Sequence, residues 1–245
     1  MSELTTAASP ARSEACDPAR VLRAVSQAPQ FSWQRGWHIV RDGEAWLILG
    51  SDDDLGRLTQ AQLVSAGSAA QLLLLAREAQ GRASSVVLLP REDPHCIVAL
   101  HDAGPAPSGR AEQLLQPSTA VPGRTLAPSD VRHLNLTAEA FGCELLWQDG
   151  STPRAQTPGL RRVSATADRR PLTTLISRGD VGRDWLQAGR AAAQCSLVAK
   201  RLGLALGFGV HPFSSWASRE EIHQLWKLSG WPQLQFTIQE IPAET

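Results

Sequence analysis

Tyrosine is absent from this 245-residue chain and methionine occurs once, whereas tryptophan occurs eight times. Beside many alanines, arginines and leucines, that imbalance fits a GC-rich coding bias and carries little chemistry. Net charge is also missing, since 24 basic residues balance 24 acidic ones, so no broad attraction to nucleic acid or to an anionic membrane is expected. No run of about twenty apolar residues occurs, which argues against a membrane-spanning helix. The N-terminus MSELTTAASPARSEACDPAR lacks the apolar centre of a signal peptide, and a cytoplasmic location is the expectation. The four cysteines, Cys16, Cys96, Cys143 and Cys195, form no CxxC pair, so a zinc site and a disulfide framework are poorly supported. Nucleophile-elbow, HExxH and phosphate-loop patterns are absent too. Asp52-Asp53-Asp54 lacks the glycine and glutamate of a calcium loop and reads as a solvated turn.

What is present is organised around Leu172 to Pro212. A strand-sized run rich in Leu, Thr and Ile ends at the turn Arg178-Gly179-Asp180. Next comes a helical pattern, with Trp185, Ala188, Ala192, Cys195, Leu197, Val198 and Leu202 on an apolar face. Arg183, Gln187, Arg190, Gln194, Lys200 and Arg201 are placed on the wet side. Gly203 stops the helix, because glycine enters the left-handed region without a Cβ penalty. Leu204 to Pro212 then reads as an apolar segment suited to lie against something flat or against another chain.

Elsewhere, residues 1–15 read as a disordered tail. Asp17-Pro18 opens a helix ending near Ala28-Pro29. Trp37–Val40 and Ala45–Leu49 flank an Asp42-Gly43 hairpin turn. A helix from Thr59 to Glu78 has its core face at Leu63, Ala66, Ala70, Leu73 and Leu74, and Gly67 with its alanine neighbours permits tight helix contact. Ser84–Leu89 and Cys96–Leu100 read as strands, residues 102–128 as a linker with a short helix at Glu112–Leu115, and Ser129-Asp130 as the start of another helix. Cys143–Trp147 reads as a strand, Ser218-Arg219-Glu220-Glu221 as a capping box, and Trp231–Ile238 as an alternating strand. Ile222, Leu225, Trp226 and Leu228 are expected to point to the core.

Gly179-Asp180, Trp185-Leu186-x-Ala188-Gly189-x-Ala191, Gly203-Leu204-Ala205 and Pro212 together resemble the C-terminal half of nitroreductase-fold flavoproteins, specifically the Acg-like actinobacterial branch. The resemblance implies an α+β nitroreductase-like fold, with an antiparallel or mixed sheet flanked by helices and an internal pseudo-duplication. Residues 16–101 would form the first half and 129–245 the second, together one flavin-fold domain. Ordinary members are dimers that bind FMN at the subunit interface, and a fused chain can imitate such a dimer.

Several positions depart from the family pattern. Ala28, Pro29 and Trp37 match in place, but Gln30, Ser32 and Trp33 stand where serine, histidine and asparagine are usual. Trp33 either stacks on the ring or fills its space. Leu72 replaces an asparagine, and Thr237 occupies the position of an arginine near the flavin phosphate. The resemblance implies that Gly203, Leu204 and Ala205 face the isoalloxazine ring by backbone while Gln30, Ser32 and Trp33 border it. Arg161 and Arg162, in a basic segment otherwise read as a solvated loop, would replace the lost phosphate contact.

The function so implied is an FMN-dependent oxidoreductase, using NAD(P)H or acting on a small organic or natural-product substrate, with no catalytic side chain singled out. The alternative is a catalytically degenerate flavin-fold protein that serves as a binding, sequestering or partner subunit. A homodimer or a heteromeric partner chain is compatible with either.

Overall fold

The computed structural model describes residues 18–26, 36–50, 58–91, 93, 95–107, 109–116, 125–148, 172–208, 213 and 215–240. The expected tail at 1–15, the Gln30–Trp33 segment, Asp52–Asp54 and the arginines between 154 and 170 lie outside the described residues.

The chain repeats one plan. Helix α1 (Pro18–Ser26) precedes strands β1 (Trp37–Asp42) and β2 (Ala45–Gly50), helix α2 (Gln60–Glu78), and strands β3 (Arg82–Leu88) and β4 (Cys96–Pro105). After a short α3 (Arg110–Leu115) the plan returns. Helix α4 (Pro128–Glu139), strands β5 (Cys143–Gln148) and β6 (Leu172–Ser177), helix α5 (Gly182–Arg201) and strand β7 (Leu204–Phe208) follow in turn. Helix α6 (Trp216–Leu225) is inserted before β8 (Trp231–Glu240). Two antiparallel four-stranded sheets result, ordered β1-β2-β4-β3 and β5-β6-β8-β7, the same order twice. The fold class is α+β with an internal duplication, as the sequence led one to expect.

Local chemistry explains the element boundaries. The Asp42-Gly43 turn, with Gly43 at φ +57°, pairs Asp42 with Ala45. Thr59 caps α2 in a reciprocal box, its hydroxyl accepting from the Gln62 N–H while Gln62 Oε1 accepts from the Thr59 N–H. In α5 the carboxylate of Asp184 accepts the N–H of Val181 at the matching position. Both helices end in a left-handed glycine, Gly81 at +75° and Gly203 at +77°.

Helices α2 and α5 pack directly on each other, and their contacts are reciprocal. A Cβ on Gly67 would lie 2.1 Å from the carbonyl oxygen of Leu186, and one on Gly189 would lie 1.9 Å from that of Val64. Residues 64 and 186, like 67 and 189, are 122 positions apart, so each half presents the same surface to the other. That is the signature of a two-fold junction. Beyond this crossing Ser68 meets Gly189 and Gln71 meets Gln194, so the two helices advance in the same sense and the pair runs parallel. The cores interlock likewise: Leu186 of α5 is buried in the first half's core and Val64 of α2 in the second's.

Several expectations need correction. Strand β4 continues through Pro105, because Ala83 and Arg82 of β3 supply partners for Gly104 and Pro105, so the stretch read as linker begins in a sheet. Helix α3 starts two residues before Glu112, at Arg110, and α4 starts at Pro128, with Asp130 accepting the Ala127 N–H. Helix α6 is capped by Ser215 and not by a box at Ser218; Ser215 Oγ accepts the Ser218 N–H, and Arg219 is buried within the first turns. Leu225, the last residue of α6, is exposed. Leu204 to Phe208 is an edge strand paired with β8. Gln187, Arg190 and Gln194 are half-buried on the side of α5 that meets α2, where a solvated face was expected.

Candidate functional site

The half–half junction carries two polar clusters. The first lies where β6 leads into α5. Its centre is a buried ion pair, Arg219 Nη2 to Asp180 Oδ2 at 3.0 Å, reinforced by Nε at 3.0 Å from each carboxylate oxygen. Arg219 also donates to the Phe213 carbonyl at 2.8 Å, and Trp185 Nε1 donates to Asp180 Oδ1 at 2.7 Å. The turn after β6 supplies the acid and α6 the base, so the inserted helix is locked onto the strand end.

Gln233 joins this cluster because of a β-bulge. The β6–β8 register shifts between Leu175 and Ile176, leaving Gln233 as an extra residue in β8. The bulge turns inward a residue that strict alternation would place outside, and Gln233 is fully buried. Its Nε2 donates to Ser177 Oγ at 2.8 Å and to Asp180 Oδ1 at 3.2 Å. From the other half, Gln60 Nε2 donates to the Gln233 carbonyl at 3.0 Å and to Gln233 Oε1 at 2.8 Å. Gln60 Oε1 itself is buried with no partner among the described residues.

The first half has the same bulge with different chemistry. Its β2–β4 register shifts between Ile48 and Leu49, leaving Ile97 as the extra residue, and Ile97 is as buried as Gln233. The Ile97 carbonyl accepts the Leu89 N–H at 2.8 Å, the part that Gln60 plays opposite. Leu58, 122 positions before Asp180, is a buried apolar residue. One end of the junction is therefore polar and its counterpart greasy.

The second cluster lies further along α5. Arg190 Nε donates to Gln71 Oε1 at 3.2 Å and Nη1 to Gln187 Oε1 at 3.2 Å. Gln71 Nε2 in turn donates to Gln194 Oε1 at 3.0 Å. The guanidinium carbon lies 5.2 Å from the centre of the Phe141 ring, which covers one of its faces. No carboxylate pairs with Arg190 among the described residues, and burial holds its pKa below the ordinary arginine value. The Nε2 donors of Gln194 likewise have no acceptor among them.

Of the residues singled out from sequence, Gly203, Leu204 and Ala205 lie together at the C-terminal end of α5. Gly203 closes the helix, Leu204 is buried in the second core, and Ala205 is half-buried in β7. Gln30, Ser32, Trp33, Arg161 and Arg162 lie outside the described residues. Asp180 sits at the other end of α5, about 30 Å away along its 20 residues, so Gly203–Ala205 and the ion pair belong to different places. Leu72 is buried, and Thr237 Oγ1 donates to the Gly207 carbonyl at 3.3 Å. Gln71, Arg190 and Gln194 were missed as site residues because, read on one helix alone, they are ordinary polar positions. Among the described residues no group of His, Cys, Asp and Glu could hold a metal ion, and no helix is long and apolar enough to cross a membrane.

No protein-family model and no curated protein matches the chain. Among solved structures, a Thermotoga maritima protein assigned as a nitroreductase aligns with 94% of this chain and 87% of its own, at 11% identity and a TM-score of 0.46. A Bacteroides thetaiotaomicron protein assigned as an NADH dehydrogenase/NAD(P)H nitroreductase aligns with 53% of this chain and 83% of its own, at 10% identity and a TM-score of 0.39. The likeness is one of chain path and reaches no side chain.

Proposed function

We propose that the chain is an FMN-dependent oxidoreductase of the nitroreductase superfamily, using NAD(P)H or acting on a small organic substrate, with its two halves supplying one flavin site between them. The observation that carries this reading is the reciprocal, parallel packing of α2 and α5. The sequence resembles a family in which two subunits meet around FMN, and here one polypeptide builds a junction of that symmetry by itself.

The residues present fit the cofactor. Flavin mononucleotide carries oxygen and nitrogen acceptors along its whole length, and the junction offers the unspent Nε2 donors of Gln194 and a cation at Arg190. Gln71 fixes the orientation of the Gln194 amide by donating to its oxygen. Gly203 is nine residues beyond Gln194, about 14 Å along the helix axis, within the length of one flavin. Gly203, Leu204 and Ala205 would meet the ring by backbone, and Arg190 and Gln194, further along the helix, would meet acceptor oxygens elsewhere on the cofactor. Bound flavin would supply the hydride chemistry, which explains why no triad or metal cluster is needed.

The test is the visible absorption spectrum of the purified protein before and after addition of excess FMN and removal of the unbound fraction. Stoichiometric retained flavin, reduced anaerobically by NADH or NADPH, is the expected result. A protein that retains no flavin would overturn the assignment and favour a role as a partner subunit.

A further inference from the structure

Three buried or half-buried arginines can be compared. Arg77 lies 3.8 Å from the Asp102 carboxylate and donates to Ser84 Oγ and to the Glu44 carbonyl. Arg219 is held by both oxygens of Asp180. Arg190 alone is held by neutral groups, two glutamine oxygens, with Nη2 left without a protein acceptor among the described residues. A guanidinium removed from water is normally compensated by a carboxylate, because desolvation costs several kcal/mol and amide oxygens return only part of it. The surrounding amides are also ordered in a single direction. Gln194 holds Gln71, and Gln71 and Gln187 turn their oxygens to the cation, which fixes its plane before anything binds. The position equivalent by the internal two-fold is Ser68, whose hydroxyl is spent on the Gly189 carbonyl at 2.8 Å, so the charge exists on one side only.

We propose that Arg190, with the amide of Gln194 beside it, forms an oxyanion site that takes a phosphate group. This site does not depend on the flavin assignment. The phosphate comes either from a bound flavin mononucleotide or from a separate phosphorylated ligand, and Nη1 and Nη2 are the donors that remain for it.

Calorimetric titration of the full chain with inorganic phosphate at low ionic strength tests this. One saturable site per chain is expected, weakened about tenfold or more in Arg190→Gln, with Arg190→Lys between the two. Absence of saturable binding to the wild-type chain, or equal affinity in Arg190→Gln, overturns the proposal. Should Arg190→Gln fail to fold, Arg190→Lys keeps the charge but removes the paired Nη1 and Nη2 donors, and a phosphate affinity equal to that of the wild type there overturns the proposal equally. Titration with FMN and with riboflavin identifies the source. If Arg190→Gln weakens FMN but not riboflavin, the phosphate is the cofactor's; if it weakens inorganic phosphate but not FMN, the site serves a separate ligand. Phosphate bound through Arg190 by a chain that takes no flavin would leave this site standing while sinking the oxidoreductase reading.

Discussion

Replacing Gly189 with alanine tests the two-fold junction directly. In an exposed helix this change stabilises by about 1 kcal/mol, because alanine loses less backbone entropy. Here the new Cβ would lie 1.9 Å from the Val64 oxygen, 2.8 Å from its carbonyl carbon and 2.9 Å from the Ser68 nitrogen. All three are backbone atoms, so no side chain can swing aside. An ordinary contact of about 3.5 Å requires the helices to separate locally by roughly 1.6 Å. Overpacking of this kind costs about 1–3 kcal/mol, with the upper end expected against a carbonyl. Separation also loosens the hydrogen bond from Ser68 Oγ to the Gly189 carbonyl, worth about 1 kcal/mol. After the propensity gain is subtracted, a net loss of roughly 2–3 kcal/mol remains, or about 5–10 °C in Tm for a chain of this size.

Gly67→Ala should lose a similar amount, since its Cβ would meet the Leu186 oxygen at 2.1 Å in the equivalent place. Gly182→Ala is the control. Its Cβ would approach only the Leu89 and Leu63 methyl groups, at 3.3 and 3.6 Å, which can rotate away. Thermal unfolding followed by circular dichroism should show Gly182→Ala at or above the wild-type Tm and the other two well below it. A Gly189→Ala protein as stable as the wild type would refute the close packing, and a large loss in only one of the two glycine variants would refute its reciprocity.

Asp180→Asn leaves the Arg219 guanidinium buried without its counter-charge and should cost about 3–5 kcal/mol in urea unfolding; a loss below about 1 kcal/mol would mean that the pair is solvated. Burial raises the thiols of Cys143 and Cys195 to about 12 and that of Cys96 to about 11. Those three should therefore resist a thiol-disulfide reagent at pH 8 until denaturant is added, and rapid labelling of any of them in the folded chain would contradict their burial. The same shifts carry a sign for stability. With folded values above unfolded ones, the contribution is intact below about pH 8.5 and declines as the pH rises toward 12. Urea midpoints at pH 8 and pH 10 should differ more in the wild type than in Cys195→Ala.

The elements were legible in the sequence wherever a local rule sufficed. The Asp42-Gly43 hairpin, the long helices and the Gly203 stop follow from turn chemistry and periodicity, and they fall where expected. Which face of α5 is dry was not legible. Periodicity places Gln187, Arg190 and Gln194 in water, but a second helix arrives there, and these side chains bond to one another and to Gln71 instead. The duplication could have shown this in advance. Ala66-Gly67-x-Ala69-Ala70 in α2 recurs as Ala188-Gly189-x-Ala191-Ala192 in α5, 122 positions on, and Gly81 recurs as Gly203 at the same interval. Two glycine-centred helices at one spacing predict that each packs on the other's thin face. Gln233 and Arg219 gave no comparable signal. A bulge reverses the inward side of a strand without changing its composition, and Arg219 sat in what reads locally as an exposed first turn.

The contrast between the two ends of the junction follows from placing both halves in one chain. In a homodimer, a residue such as Gln233 would appear twice, and any change would alter both symmetry-related positions at once. Within a single polypeptide the bulge can hold Gln233 in one half and Ile97 in the other, and the equivalent turn residues can be Asp180 and Leu58. What both halves still share is confined to backbone requirements: the bulge, the left-handed glycines and the thin helix faces, where substitution meets backbone or forces an unfavourable φ. The side chains that differ are those whose exchange leaves the backbone path unaltered. Arg190 and Ser68 belong to that second group, so the scaffold keeps its two-fold while its charge lies on one side. Restoring symmetry by Arg190→Ser should therefore leave the fold intact and remove phosphate binding, whereas breaking it at Gly189 should damage the fold itself.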